Sequence, residues 1–75
     1  MKVTVKLIGP LLYEAGFSEK TITLGGPATA GEVLARVDIG KNRPTILTRN
    51  GRAVALLDLL EDGDRLVISP IYSGG

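Results

Sequence analysis

The sequence predicts an α+β fold: a mixed sheet of about five strands with one main helix packed on one face. Three observations predict it. The chain opens on an alternating run from Lys2 to Ile8, carries a helix-start signal at Thr29 and Glu32, and closes on a second alternating run from Arg65 to Ile71. At 75 residues the chain reads as a single domain over 1–75, because two pieces would each be too small to bury a core.

In the opening run Val3, Val5 and Leu7 share one face and Lys2, Thr4 and Lys6 the other, as in a half-buried strand. Gly9 and Pro10 end it, and Pro10 opens a helical turn over Leu11, Leu12, Tyr13 and Glu14 that Gly16 closes. Thr21 to Leu24 resumes the alternation and stops at Gly25, Gly26 and Pro27, so it pairs with the first strand across a long loop. Thr29 and Glu32 have the spacing of a capping box, in which the hydroxyl takes an orphan backbone N–H and the carboxylate reaches back. The main helix starts there. Val33, Leu34 and Val37 form its apolar face, Glu32 and Arg36 are spaced for an ion pair, and Gly40 and Pro44 lie beyond its far end.

Thr45 to Thr48 and Ala53 to Leu56 flank Arg49-Asn50-Gly51-Arg52, and Asn-Gly is a strong hairpin signal because both turn positions tolerate positive φ. Leu57, Leu59 and Leu60 precede the polar turn Glu61-Asp62-Gly63-Asp64, and the final strand follows. A chain this short buries its helix stripe only by laying it across a single sheet. Both hairpins are satisfied when the first and last strands lie parallel at the sheet centre, which is the β-grasp, or ubiquitin-like, layout. Leu66 and Ile68 then face the helix, and Val67 and Ile71 face outward.

Composition narrows the function. Apolar residues make up 44% and charged residues 23%, an ordinary globular balance. With no histidine and no cysteine the chain lacks a thiol nucleophile, the usual neutral-pH base and the strongest zinc ligands, so it reads as no enzyme and no metal protein. A net charge of +1 gives no general pull toward nucleic acid or membrane. No apolar run approaches the roughly 20 residues of a bilayer span, and the start is an alternating strand rather than a secretory signal. The expectation is a cytoplasmic protein. Asp58, Glu61, Asp62 and Asp64 lack the alternating ligands of a calcium loop and read as a solvated turn. Lys41, Arg43, Arg49 and Arg52 have no interleaved aromatic and read as edge-strand protection. Gly25-Gly26-Pro27 lacks the phosphate-loop pattern and reads as a turn.

The informative feature is the tail Tyr72-Ser73-Gly74-Gly75, directly after a strand. Glycines carry no Cβ, so Gly74 and Gly75 fit a channel too narrow for side chains and reach backbone angles closed to other residues. A free carboxylate on Gly75 is a poor electrophile, and chemistry there requires activation by a nucleotide phosphate held on another protein.

Three segments together resemble the MoaD/ThiS family of ubiquitin-like sulfur carriers: Lys2-Val3-Thr4-Val5-Lys6-Leu7, then Leu60-Glu61-Asp62-Gly63-Asp64-Arg65-Leu66, similar to that family's Leu-x-x-Gly-Asp turn and strand, and Ser73-Gly74-Gly75. The resemblance covers essentially the whole chain. It implies that an E1-like adenylating enzyme of the MoeB/ThiF type activates the Gly75 carboxylate with its own ATP. A sulfur donor then makes a thiocarboxylate, and a synthase large subunit takes the sulfur. Ser73 and Gly74 would thread into the partner's active site, while Val67, Ile71 and Tyr72 would form the docking surface. Pro10 to Gly16 is similar to the short helix of molybdopterin-synthase small subunits, which points to molybdenum or tungsten cofactor synthesis. Carriers for thiamine thiazole or tRNA thiolation, and protein modifiers conjugated to lysines, remain alternatives.

Overall fold

The computed structural model describes residues 1–39 and 44–71. Among them the order is β1 (Lys2–Leu7), α1 (Leu11–Ala15), β2 (Glu19–Thr23), α2 (Ala30–Ala35), β3 (Thr45–Arg49), β4 (Arg52–Ala53) and β5 (Arg65–Pro70). The five strands form one sheet in the order β2-β1-β5-β3-β4. β1 and β5 run parallel at its centre, with Leu7 beside Ile68, and the other pairs are antiparallel. This is the β-grasp layout that the two hairpins and the helix signal demanded.

Alternation sets the inner face. Val3, Val5 and Leu7 from β1 and Leu66 and Ile68 from β5 are buried, together with Leu47 of β3. Fully burying side chains of this size contributes about 1.5–3 kcal/mol each. The covering layer differs from the expectation of one main helix: it consists of two short helices of five and six residues. Each is stopped locally. Gly16 closes α1 in a left-handed conformation at φ 86°, and the Arg36 N–H bonds back to Val33 O at 3.0 Å, a tight last turn that ends α2. Both helices feed the core, through Leu11 and Val33, and Val37 is buried just beyond α2.

The cap on α2 is half of the expected box. Thr29 Oγ1 accepts from Glu32 N at 3.1 Å, but the Glu32 carboxylate accepts from the Thr29 hydroxyl at 3.3 Å rather than from its backbone. No Glu32–Arg36 ion pair forms, because Arg36 is already the C-cap residue and the carboxylate is turned to Thr29.

The largest departure follows β3. The predicted strand over Ala53 to Leu56 ends at Ala53, and the chain leaves the sheet to pack beside the start of α2. Its backbone is satisfied there: Ala30 N donates to Asp58 O at 3.0 Å, Gly31 N to Leu56 O at 2.9 Å and Leu60 N to Ala28 O at 2.9 Å. Gly31 permits this approach, since a Cβ on it would stand 3.1 Å from Leu56 O. Leu60 is buried, whereas Leu56, Leu57 and Leu59 point outward.

Candidate functional site

The face of the sheet opposite the helices carries Lys2, Thr4 and Lys6 from β1, Ile46 and Thr48 from β3, and Arg65, Val67 and Ser69 from β5, by the alternation of each strand. Val67 lies between Lys6 and Thr48, and Ile46 lies opposite Ser69. Val67 is half-buried on this face, while Ile46 and Ile71 are 49% and 47% exposed. Diagonal cross-strand neighbours are within reach of long side chains, so Ile46, Val67 and Ile71 make one apolar strip, and Ile8 sits exposed past the end of β1. Arg65 pairs with Glu19 at 2.9 Å at the other end of the face, with both side chains about half exposed; such a pair contributes about 0–1 kcal/mol.

Val67 and Ile71 therefore stand where the alternation put them, and Ile46 joins them. The signal for Ile46 was present in the sequence: Ile46 and Leu47 are adjacent in a strand, so one of the two must face outward. Tyr72, Ser73, Gly74 and Gly75 lie outside the described residues, as do Lys41 and Arg43.

Two prolines define the root of the tail. Ile71 N donates to Pro44 O at 3.2 Å, but Pro44 has no N–H to return to Ile71 O. On the other side Ile8 N donates to Ile68 O at 3.0 Å, and the next bond of a parallel ladder would come from the N–H of residue 70 to Ile8 O. Pro70 has none. Both ladders thus lose their next donor where the chain leaves the sheet, which also explains how a proline fits in a central strand.

The Gly63-Asp64 element is a latch on the other end of β5: Asp58, Glu61 and Asp62 are exposed, as a solvated acidic turn requires, but Asp64 departs from that reading. Asp64 is buried at 7% exposure. Its carboxylate accepts from Glu61 N at 2.7 Å and from Asn50 Nδ2 at 3.0 Å, with Arg49 Nε at 3.8 Å. Gly63 has φ 87°, an angle that favours glycine, and the turn is stitched to β1 through Gly63 N to Lys2 O, Thr4 N to Asp64 O and Lys2 N to the Asp62 carboxylate. Arg49 also donates to Leu59 O at 2.7 Å, so it is an internal fastener rather than edge protection; Arg52 is exposed.

Among the described residues, no group of three or more Asp and Glu is placed to hold a metal ion. Nor is any helix among them long and apolar enough to cross a membrane.

No family model matches the sequence, and no curated protein matches it. Solved structures do. SAMP1 from Haloferax volcanii matches over 100% of both chains with a TM-score of 0.79 and 28% identity. The putative molybdopterin converting factor, subunit 1, from Pyrococcus furiosus matches over 93% of this chain and 97% of its own, with a TM-score of 0.82 and 25% identity. The chain resembles MoaD/ThiS-like ubiquitin-like proteins. One chain of a complex of subunits 1 and 2 of the molybdopterin-converting factor from Helicobacter pylori 26695 matches over 100% of this chain and 100% of its own, at a TM-score of 0.68 and 21% identity, which bears on the fold alone. For a MoaD/ThiS-like chain the open strip and the proline-bounded root of the tail are the features to weigh, since they adjoin the same end of β5.

Proposed function

We propose that this chain is a sulfur carrier whose Gly75 carboxylate is the working group, serving molybdopterin synthesis. The single observation that carries the reading is the placement of β5: a central strand, latched at its start by Asp64, ends at Pro70 and leads into Ile71-Tyr72-Ser73-Gly74-Gly75. The likeness to the subunit 1 protein of Pyrococcus furiosus supports it.

On this reading all 75 residues form one carrier domain that works in the cytoplasm and is a cosubstrate, not a catalyst. A Gly75 carboxylate oxygen attacks the α-phosphorus of ATP held by an E1-like enzyme, releasing pyrophosphate and leaving an acyl-adenylate. Sulfur from a donor then displaces AMP, and the thiocarboxylate passes its sulfur to a substrate on a synthase large subunit. Ser73 and Gly74 thread the narrow channel, and Val67, Ile71 and Tyr72, with Ile46, dock on the partner through buried apolar area. The chain itself binds no cofactor; ATP belongs to the activating enzyme. The Helicobacter pylori complex of subunits 1 and 2 shows one such pairing for that protein.

A second reading is favoured by the likeness to the Haloferax volcanii small archaeal modifier protein 1, at 26% identity over 92% of this chain. A lysine amine of a target then attacks the same activated carboxylate. Incubation with an E1-like enzyme from the same cell and ATP should release pyrophosphate, and removing Gly75 or appending an alanine should abolish that release. Release unaffected by either change refutes both readings. Trypsin cuts last at Arg65, so Leu66-to-Gly75 remnants on lysines of digested cell protein would decide for the modifier, and their absence for the carrier.

A further inference from the structure

The turn between β3 and β4 places an unusually labile dipeptide under restraint. Asn50 and Gly51 occupy the two turn positions with φ 52° and 85°, and Asn50 is exposed. A glycine after asparagine leaves the following backbone nitrogen unshielded by any side chain. Attack of that nitrogen on the side-chain amide is the usual route by which asparagine loses ammonia. In this chain both ends of the amide are engaged elsewhere. Nδ2 donates to Asp64 Oδ1 at 3.0 Å, and Oδ1 accepts from Arg65 N at 2.9 Å. The Asn50 N–H bonds to Arg65 O at 2.9 Å, so the residue is held at two points to the first residue of β5 and at a third to the Asp64 before it. Closing the ring requires the side chain to swing onto the Gly51 nitrogen, and the two amide bonds must be given up for it to do so.

We propose that Asn50 is a deamidation site that the native fold keeps closed and that opens when the β3–β4 turn separates from β5. The step is non-redox. The Gly51 nitrogen bonds to Cγ of Asn50, the Cγ–Nδ2 bond breaks, and the Gly51 proton leaves with ammonia. Water then opens the cyclic imide at one of its two carbonyls, giving either aspartate or an isoaspartyl linkage at position 50. The product cannot rebuild the latch. An amide that donated to the buried Asp64 carboxylate is replaced by a second carboxylate in the same place. Arg49 Nε, at 3.8 Å from Asp64 and with its Nη1 committed to Leu59 O, is the one cation described beside the pair. The isoaspartyl form also lengthens the backbone inside a two-residue turn. Reaction in an opened molecule thus prevents the turn from closing properly again, and the loss of the latch falls on the strand that leads to the tail.

The test incubates the whole chain at neutral to mildly alkaline pH, folded in one arm and in urea in the other. Mass spectrometry follows the gain of about 1 Da on the peptide containing Asn50. Conversion in the folded arm should be slower by at least roughly tenfold, since it proceeds only through opened molecules. Equal rates in the two arms would overturn it. A second comparison needs no reaction: Asn50→Asp should be less stable to urea than Asn50→Ala, because both lose the amide at the same positive φ but only the first faces Asp64 with a charge. Equal stability of these two variants would overturn the claim that the product disables the latch.

Discussion

Replacement of Asp64 by alanine tests whether β5 is launched by a buried polar latch. The carboxylate accepts two direct hydrogen bonds, from Glu61 N at 2.7 Å and Asn50 Nδ2 at 3.0 Å. Hydrogen bonds to a charged group contribute about 1.5–3 kcal/mol each, and a buried donor left without a partner keeps its desolvation cost. Glu61 and Asn50 are themselves exposed and regain some water contact, so the lower end of the sum applies, about 3 kcal/mol. A core of this size supplies only about 3–5 kcal/mol, which puts Asp64→Ala near the edge of folding. Asp64→Asn keeps one oxygen acceptor and should lose about half as much. Urea unfolding followed by far-ultraviolet circular dichroism is the assay, since the chain has no tryptophan. With a slope near 1 kcal/mol per M, the alanine midpoint should fall by about 3 M and the asparagine midpoint by about half that. A fall of less than about 0.5 M for alanine, the size expected of an ordinary surface change, would refute the latch.

Three other outcomes follow from the same geometry. Thr29→Ala removes the side-chain acceptor of Glu32 N and should cost about 0.5–2 kcal/mol in the same urea assay, while Thr29→Ser should cost much less. Pro44→Ala restores a donor opposite Ile71 O, so hydrogen exchange of the Ile71 amide should slow; an unchanged rate would contradict the role given to this proline. Val67→Glu should leave stability within about 1 kcal/mol, yet weaken binding to the activating or synthase partner by at least about tenfold. Full affinity in that variant would remove the strip from the docking surface.

Local signals made much of this architecture legible. β1 and β5 each bury alternate residues, so period two identified both their faces. The Asn50-Gly51 turn and the Thr29 cap are set by side chains within a few residues of the backbone they serve. What failed was decided by distant partners. Ala53 to Leu56 read as a strand by composition, but beyond Ala53 the chain is held by hydrogen bonds to Ala28, Ala30 and Gly31, 25 to 32 residues away in sequence. Asp64 looked like one acid in a solvated turn, because its partner Asn50 lies across a crossover that no local pattern reveals. The balance of the helical layer is not local either: the sequence places a helical turn at α1, and only the burial of Leu11 shows it sharing the core with α2. Within the site, Val67 and Ile71 followed from alternation, whereas the paired prolines gain meaning only once the strand register places Pro44 beside Ile71 and Pro70 past Ile68.

The chemistry of Gly75 decides whether this chain is a carrier. Intact-mass measurement of the chain after incubation with its own cell's E1-like enzyme, ATP and a sulfur source should show a gain of about 16 Da, oxygen replaced by sulfur, confined to the C-terminal peptide. An unchanged mass, under conditions in which that enzyme demonstrably activates another carrier, would contradict it.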